Sequence, residues 1–212
     1  MWYFISFLMG FVLIGYVSHQ TQWEHFWLKV VDGWVRLWCR FYHRFQSEQV
    51  SLPQQGAAIL AANHISGLDP LLLVCATNRP LRFLIAIEEY RHPILKYLYK
   101  SMGCIPVDRS SRPEVALRAA LRALQQGEII ALFPQGRIVL PSETNKPLKA
   151  GIKWLAQQAN CTIYPVHLKG ITGVGKVLEA VFLRSHAQLI AHTPLICNEN
   201  TDCLTTLKEL LR

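Results

Sequence analysis

The sequence predicts an α/β domain whose mixed, largely parallel sheet is flanked by helices and preceded by an N-terminal two-helix membrane anchor. Three observations carry this expectation. From Val50 onward, short apolar runs alternate with helical patterns, the texture of strand–helix–strand units with parallel strands. Residues 2–17 form an almost unbroken apolar stretch, and residues 23–41 set aromatic groups at helical spacing. The 212 residues suit one core with an appended anchor, and the change of texture divides them into residues 1–46 and residues 47–212.

Between Trp2 and Val17, Ser6 is the one clearly polar residue, with Gly10 and Gly15 inside the run. A membrane-spanning helix needs about 20 apolar residues, so this one falls slightly short. It has neither the basic start nor the small-residue cleavage site of a secretory leader. A short span, a re-entrant helix and an uncleaved anchor all fit it. In the next segment Trp23, Phe26, Trp27, Val30, Val31, Trp34, Leu37, Trp38 and Phe41 follow at steps of three and four, one face of a helix. Glu24, Lys29, Asp32, Arg36, Arg40 and Arg44 fall on the other face. Such a helix can pack on the protein's own core, but four tryptophans on one stripe suit the boundary between acyl chains and headgroups better. The cations follow the apolar segment, which puts the bulk of the chain on the cytoplasmic face, in a bacterium that of the inner membrane.

The following elements are read in order. Ala57 to Ala62 is a buried strand, Pro70 to Thr77 a helix, Arg82 to Ile87 a strand, Ile94 to Met102 a helix and Ile105 to Val107 a strand. Pro113 to Gln126 is a helix with Ser111 as candidate cap, Pro113 in its first turn and Gly127 as its stop. Ile129 to Phe133 is strand-like, Ala150 to Ala159 helical and Thr162 to Leu168 strand-like, and Thr201 to Arg212 sets leucines at helical spacing.

Composition narrows the partners. Charged residues make up 17%, hydrophobic ones 51%, and Trp, Tyr and Phe together number 22, more apolar and aromatic surface than a soluble domain needs. The net charge of +8 favours anionic ligands such as phosphate groups or acidic headgroups. No run of basic residues marks a nucleic-acid tail. The six cysteines (Cys39, Cys75, Cys104, Cys161, Cys197 and Cys203) form no CxxC pair and read as buried thiols of a reducing compartment. On that reading the sequon Asn160-Cys161-Thr162 is an accident of composition.

In such a fold, polar residues that end buried strands are the candidates for chemistry. After the first strand comes Asn63-His64-Ile65-Ser66-Gly67-Leu68-Asp69-Pro70. A His and an Asp five residues apart across a turn loosened by Gly67 can meet. The carboxylate then fixes one imidazole tautomer and leaves a general base, an arrangement typically worth about 10² to 10⁴ in rate. Asp69-Pro70 also reads as an ordinary helix start, and one carboxylate can fill both roles. Three further blocks accompany strands: Gly103 to Arg109, Phe133 to Arg137 and Tyr164 to Val166. Arg109 and Arg137 each lie just past a buried strand, where a guanidinium can clamp a phosphate by paired hydrogen bonds.

In order and spacing these four blocks resemble the four motifs of the glycerolipid acyltransferase family, to which 1-acyl-glycerol-3-phosphate acyltransferases belong. The resemblance runs from about Ala57 to Gly170, and Lys149-Ala150-Gly151 is similar to the segment after the family's third motif. It implies that His64 takes the proton of an acceptor hydroxyl, that Asp69 orients it, and that Arg109 and Arg137 bind the acceptor's phosphate. Gly103 and Gly136 would let backbone approach the ligand, and Pro165 would belong to a motif that shapes the acyl-donor side. The donor would be acyl-acyl carrier protein or acyl-coenzyme A, a co-substrate rather than a resident cofactor, and the acceptor a membrane lipid, lysophosphatidic acid first. Gln135 departs from the pattern, which usually has Glu there. The change removes a charge but keeps one acceptor. Another lysolipid, for example an ornithine-type one, or a relative impaired in catalysis stays open on that account.

Rival readings are few. Gly170 to Val177 nearly spells a phosphate-binding loop, but Val177 stands where a hydroxyl should hold Mg²⁺. His64 with Ser66 could serve a hydrolase or transacylase. The eight histidines show no ligand spacing for a metal.

Overall fold

The computed structural model describes residues 2–48, 50–110, 113–143, 147–198 and 202–212. Seven strands form the sheet: β1 (Gln46–Ser47), β2 (Ala58–Ala62), β3 (Leu81–Ala86), β4 (Ile105–Val107), β5 (Ile129–Leu132), β6 (Thr162–Lys169) and β7 (Gln188–Ala191). Their order is β1-β7-β6-β2-β5-β3-β4. Every pair is parallel except β6 with β7. The alternation of apolar runs and helices is therefore what it was expected to be, a largely parallel sheet with helical crossovers.

Side chains of β2 point alternately to two cores, as the period of two requires. Ala58, Leu60 and Ala62 meet Leu72 and Leu73 of helix α3 (Asp69–Cys75). Ile59 and Ala61 meet residues of α6 (Pro113–Gln125), α7 (Gly151–Gln158) and α8 (Cys203–Leu210). Both faces of the central strand are dry, which is why Ala-Ile-Leu-Ala-Ala reads as a continuous apolar run rather than an alternating one. Two short helices, α4 (Ile87–Tyr90) and α5 (Lys96–Ser101), link β3 to β4. The expected Ile94 start of the second helix is two residues early, and β1, β7 and α4 carry no sequence signal long enough to read. The candidate cap Ser111 and the tail's Thr201 lie outside the described residues.

Two helices precede the sheet. Helix α1 (Trp2–Ser18) has 17 residues, about 25 Å of helix. Among the described residues no helix is long and apolar enough to cross a membrane. Helix α2 (Phe26–Leu37) continues into a π-helical turn, Trp38–Tyr42. The two helices touch backbone to backbone, because a Cβ on Gly33 would stand 1.8 Å from the Gly15 carbonyl oxygen. Phe11 stacks on Trp34 at 4.4 Å, and the Trp34 indole donates to the Phe11 carbonyl at 3.1 Å.

The structure corrects two expectations about this region and one about the cysteines. Trp23 lies ahead of α2 and is buried, so the exposed stripe is carried by Phe26, Trp27, Val31, Trp38 and Phe41. Asp32 and Arg36 are buried rather than solvated. The turn at Gln20 and Thr21 folds back over α2 and gives two backbone N–H groups to Asp32, at 3.1 and 3.4 Å. The end of α3 offers its carbonyls to Arg36. Cys197 and Cys203 are joined in a disulfide, their Cα atoms 5.5 Å apart. Cys39 and Cys104 are buried free thiols, and burial pushes Cys104 up to about 11.

Candidate active site

The C-terminal ends of β2 and β5 lie side by side, and each delivers one wall of a cavity of about 280 Å³. Asn63 leaves β2 in register with β6. Its side-chain amide donates to the Leu168 carbonyl at 2.8 Å, and its oxygen accepts from the Leu168 N–H at 2.7 Å. The side chain thus extends the sheet ladder one residue past the strand and fixes where His64 departs.

His64 faces the cavity, with its ring stacked on Phe133, the residue after β5, at 4.0 Å and 13°. Its Nδ1 lies 2.8 Å from Asp69 Oδ2. Asp69 is fully buried and accepts three more hydrogen bonds: Ile65 N–H at 2.7 Å, Ser66 N–H at 2.9 Å and the Ser66 hydroxyl at 2.8 Å. Four donors thus hold the carboxylate in one orientation. It accepts a hydrogen bond from Nδ1–H of the imidazole, the tautomer in which Nε2 is the acceptor. Ser66 is fully buried, and its oxygen also accepts from the Leu68 N–H at 3.1 Å. A hydroxyl without access that already serves the carboxylate is no nucleophile, which removes the main support for a Ser66-dependent hydrolase.

The remaining candidates divide. Gln135 lines the same cavity, and its Oε1 is buried with no hydrogen-bond partner among the described residues. Gly136 has φ +74°, and a Cβ there would meet Cε of Lys149 at 2.5 Å, so the glycine makes room for the lysine stem. Arg137 is half exposed and grips both oxygens of Glu143, at 3.0 and 3.1 Å. Glu143 borders the cavity; Arg137 does not. Arg109 is exposed just past the C-terminal end of β4. Gly103 precedes β4 and so sits at the opposite edge of the sheet from His64. Its φ of +67° and its contact with the Arg82 guanidinium serve a turn beside a separate cavity of about 330 Å³. Pro165 is buried within β6, where the β7 ladder is interrupted between Ala191 and Leu195. A residue without an N–H fits at that break.

Several groups at the cavity were not singled out by sequence reasoning: His167, Lys169, Lys208, Leu211 and Arg212. They come from β6 and α8, whose approach to His64 is a matter of topology and leaves no local signal. Burial, then His192 and Lys169, pushes His167 below the usual histidine value. The near-match to a phosphate-binding loop folds otherwise, since Lys176 pairs with Glu179 at 3.0 Å and the Gly175 N–H donates to the Ile65 carbonyl at 2.8 Å. Among the described residues no group of three or more His, Cys, Asp or Glu side chains is arranged to hold a metal ion.

Fold and site together define an α/β protein with a histidine, oriented by a buried carboxylate, over a cavity at the C-terminal edge of the sheet. The model of the Acyltransferase family matches residues 44–169, and the chain belongs to that family. It is similar to a probable 1-acyl-sn-glycerol-3-phosphate acyltransferase of Mycoplasma genitalium, 32% identical over 135 residues, which are 60% of this chain and 49% of that one. The chain thus spans about half the length of that relative. The 1-acyl-sn-glycerol-3-phosphate acyltransferase of Bacillus subtilis is 25% identical over 146 residues, 68% of this chain and 70% of that one. The crystal structure of the 1-acyl-sn-glycerophosphate (LPA) acyltransferase PlsC from Thermotoga maritima shares the fold, with a TM-score of 0.64 at 19% identity over 99% of this chain and 89% of that one.

Proposed function

We propose that the protein transfers a fatty acyl group from acyl-acyl carrier protein or acyl-coenzyme A to the free hydroxyl of a lysophospholipid, lysophosphatidic acid first, at the cytoplasmic face of a membrane. The observation that carries this reading is the His64–Asp69 pair facing the cavity, with the donor side of the imidazole taken up by the carboxylate. Nε2 accepts the hydroxyl proton as the oxygen attacks the thioester carbonyl. The C–S bond breaks, and the proton passes from His64 to the leaving sulfur. No acyl-enzyme forms, in keeping with the burial of Ser66. Helix α1, with Trp2, Phe4, Phe7, Leu8, Phe11 and Leu13 exposed, and the aromatic face of α2 support contact with the bilayer.

The test is an assay in mixed micelles with a labelled acyl thioester and lysophosphatidic acid, His64→Ala run beside the parent. Labelled phosphatidic acid from the parent alone is the expected result. Equal product from both proteins would remove His64 as the base, and absence of product with every acceptor would sink the reading.

A second reading concerns the acceptor only. The unpartnered Gln135 oxygen and the Arg137–Glu143 pair favour a lysolipid that brings its own N–H or O–H donor to the cavity. On that reading Gln135→Glu gains activity on lysophosphatidic acid relative to the other lysolipid.

A further inference from the structure

We infer that the strap formed by residues 170–183 is a bilayer-contact surface that joins the aromatic face of the N-terminal helices to the catalytic turn. The inference rests on the proposed function in one respect, that the lipid acceptor comes from a membrane.

The strap has two sides. Gly170, Ile171 and Val174 line the cavity that His64 faces. Val177, Leu178 and Phe182 point outward, 48%, 59% and 68% exposed. Between them the backbone is fastened to the catalytic turn: the Gly67 N–H donates to the Lys176 carbonyl at 2.9 Å, and a Cβ on Gly67 would stand 2.3 Å from the Val177 carbonyl oxygen. Gly67 is thus required by the approach of the strap and not only by the turn between His64 and Asp69.

The other end of the strap is tied to the segment after α2. The Trp38 indole donates to the Val181 carbonyl at 3.0 Å, the Tyr42 hydroxyl donates to the Phe182 carbonyl at 2.7 Å, and His43 Nε2 lies 3.0 Å from the Val181 oxygen. Trp38 stacks on Tyr42 at 4.3 Å and stands one helical turn beyond Trp34, which stacks on Phe11 of α1. Two aromatic pairs, Phe11–Trp34 and Trp38–Tyr42, thus mark the path from α1 along α2 to the strap.

Two features select a lipid surface as the occupant. The path starts on α1, nearly all of whose large apolar side chains are exposed. Residues 38–45 and 169–187 hold the cations Arg40, Arg44, Lys169, Lys176 and Arg184 against one acid, Glu179, a balance that matches anionic headgroups around an apolar patch.

The test uses the full chain in two ways. An environment-sensitive fluorophore on Leu178→Cys, with the parent labelled in parallel for background, is mixed with vesicles of phosphatidylcholine and phosphatidylglycerol in equal parts. Its emission should shift to the blue. Leu178→Ser with Phe182→Ser should lose about tenfold or more of the rate on vesicle-borne acceptor, the order expected from two apolar side chains, and keep the parent rate on a short-chain acceptor free in solution. Unchanged emission with vesicles, or an unchanged vesicle rate, would overturn the inference. So would a blue shift that grows with protein concentration without lipid, which would assign the patch to a second copy of the chain. A parent that turns over neither acceptor would defeat the proposed function alone, and the emission result would still decide the strap.

Discussion

At the scale of single residues, the site is governed by how much one carboxylate is asked to hold. Asp69 receives the His64 ring, two backbone N–H groups and the Ser66 hydroxyl, all within 2.9 Å. Ser66→Ala removes one of four donors and should cost about 1.5–3 kcal/mol of stability, the usual worth of a hydrogen bond to a charged group. Turnover should persist, since the imidazole keeps its own contact. A nucleophilic serine would instead lose nearly all activity, so thermal unfolding and rate measured on the same variant separate the two roles. The His–Asp pairing was legible because five residues around a glycine turn permit little else. The role of Asn63 was not, because its partner Leu168 lies 105 residues away and only the folded sheet brings them together. Gly103 shows the reverse limit. A motif names a residue without saying what it touches, and this one packs against Arg82 at the far end of its strand.

At the scale of elements, the joint between α2 and α3 rests on Arg36. Its guanidinium donates to Asp32, Gln20 and Thr21, and to the carbonyls of Val74, Cys75 and Thr77, all between 2.7 and 3.1 Å. Val74 and Cys75 end α3 and Thr77 follows its cap, where orphan carbonyls need donors. Arg36→Met should lower stability by about 3–5 kcal/mol, because Asp32 is left buried without its counter-charge as well. The check is the midpoint of denaturant unfolding. Arg36→Lys should rescue little of it, since one ammonium cannot span three carbonyls and a carboxylate. In the sequence, Asp32 and Arg36 simply fall on the charged face of the helix. Periodicity identifies the face of a helix but not what later closes over it, here the Gln20–Thr21 turn and α3. The long apolar strands and α6 were legible for the opposite reason. Their burial is dictated by their own composition and by stops such as Gly127, φ +80°.

At the scale of the whole molecule, two histidines make the fold sensitive to acid. Burial lowers His43 and His167 below the ordinary value of 6.5. The unfolded chain therefore takes up protons at a higher pH than the folded one. Stability is fully present above pH 6.5 and is lost as pH falls through that value toward the lower folded-state pKa values. The melting temperature should drop across this window, and His43→Gln should flatten part of the drop. Topology carries a further consequence, in the order in which the chain is made. Ala58 of the central strand pairs with Thr162 on one side and Ile129 on the other, so the sheet has no centre until most of the polypeptide has left the ribosome. The contacts between α1 and α2, by contrast, need nothing beyond Leu37, the last residue of α2. The hairpin is thus free to meet a bilayer while the strands around His64 are still being translated, so that under the proposed function the chain reaches its membrane before its site exists.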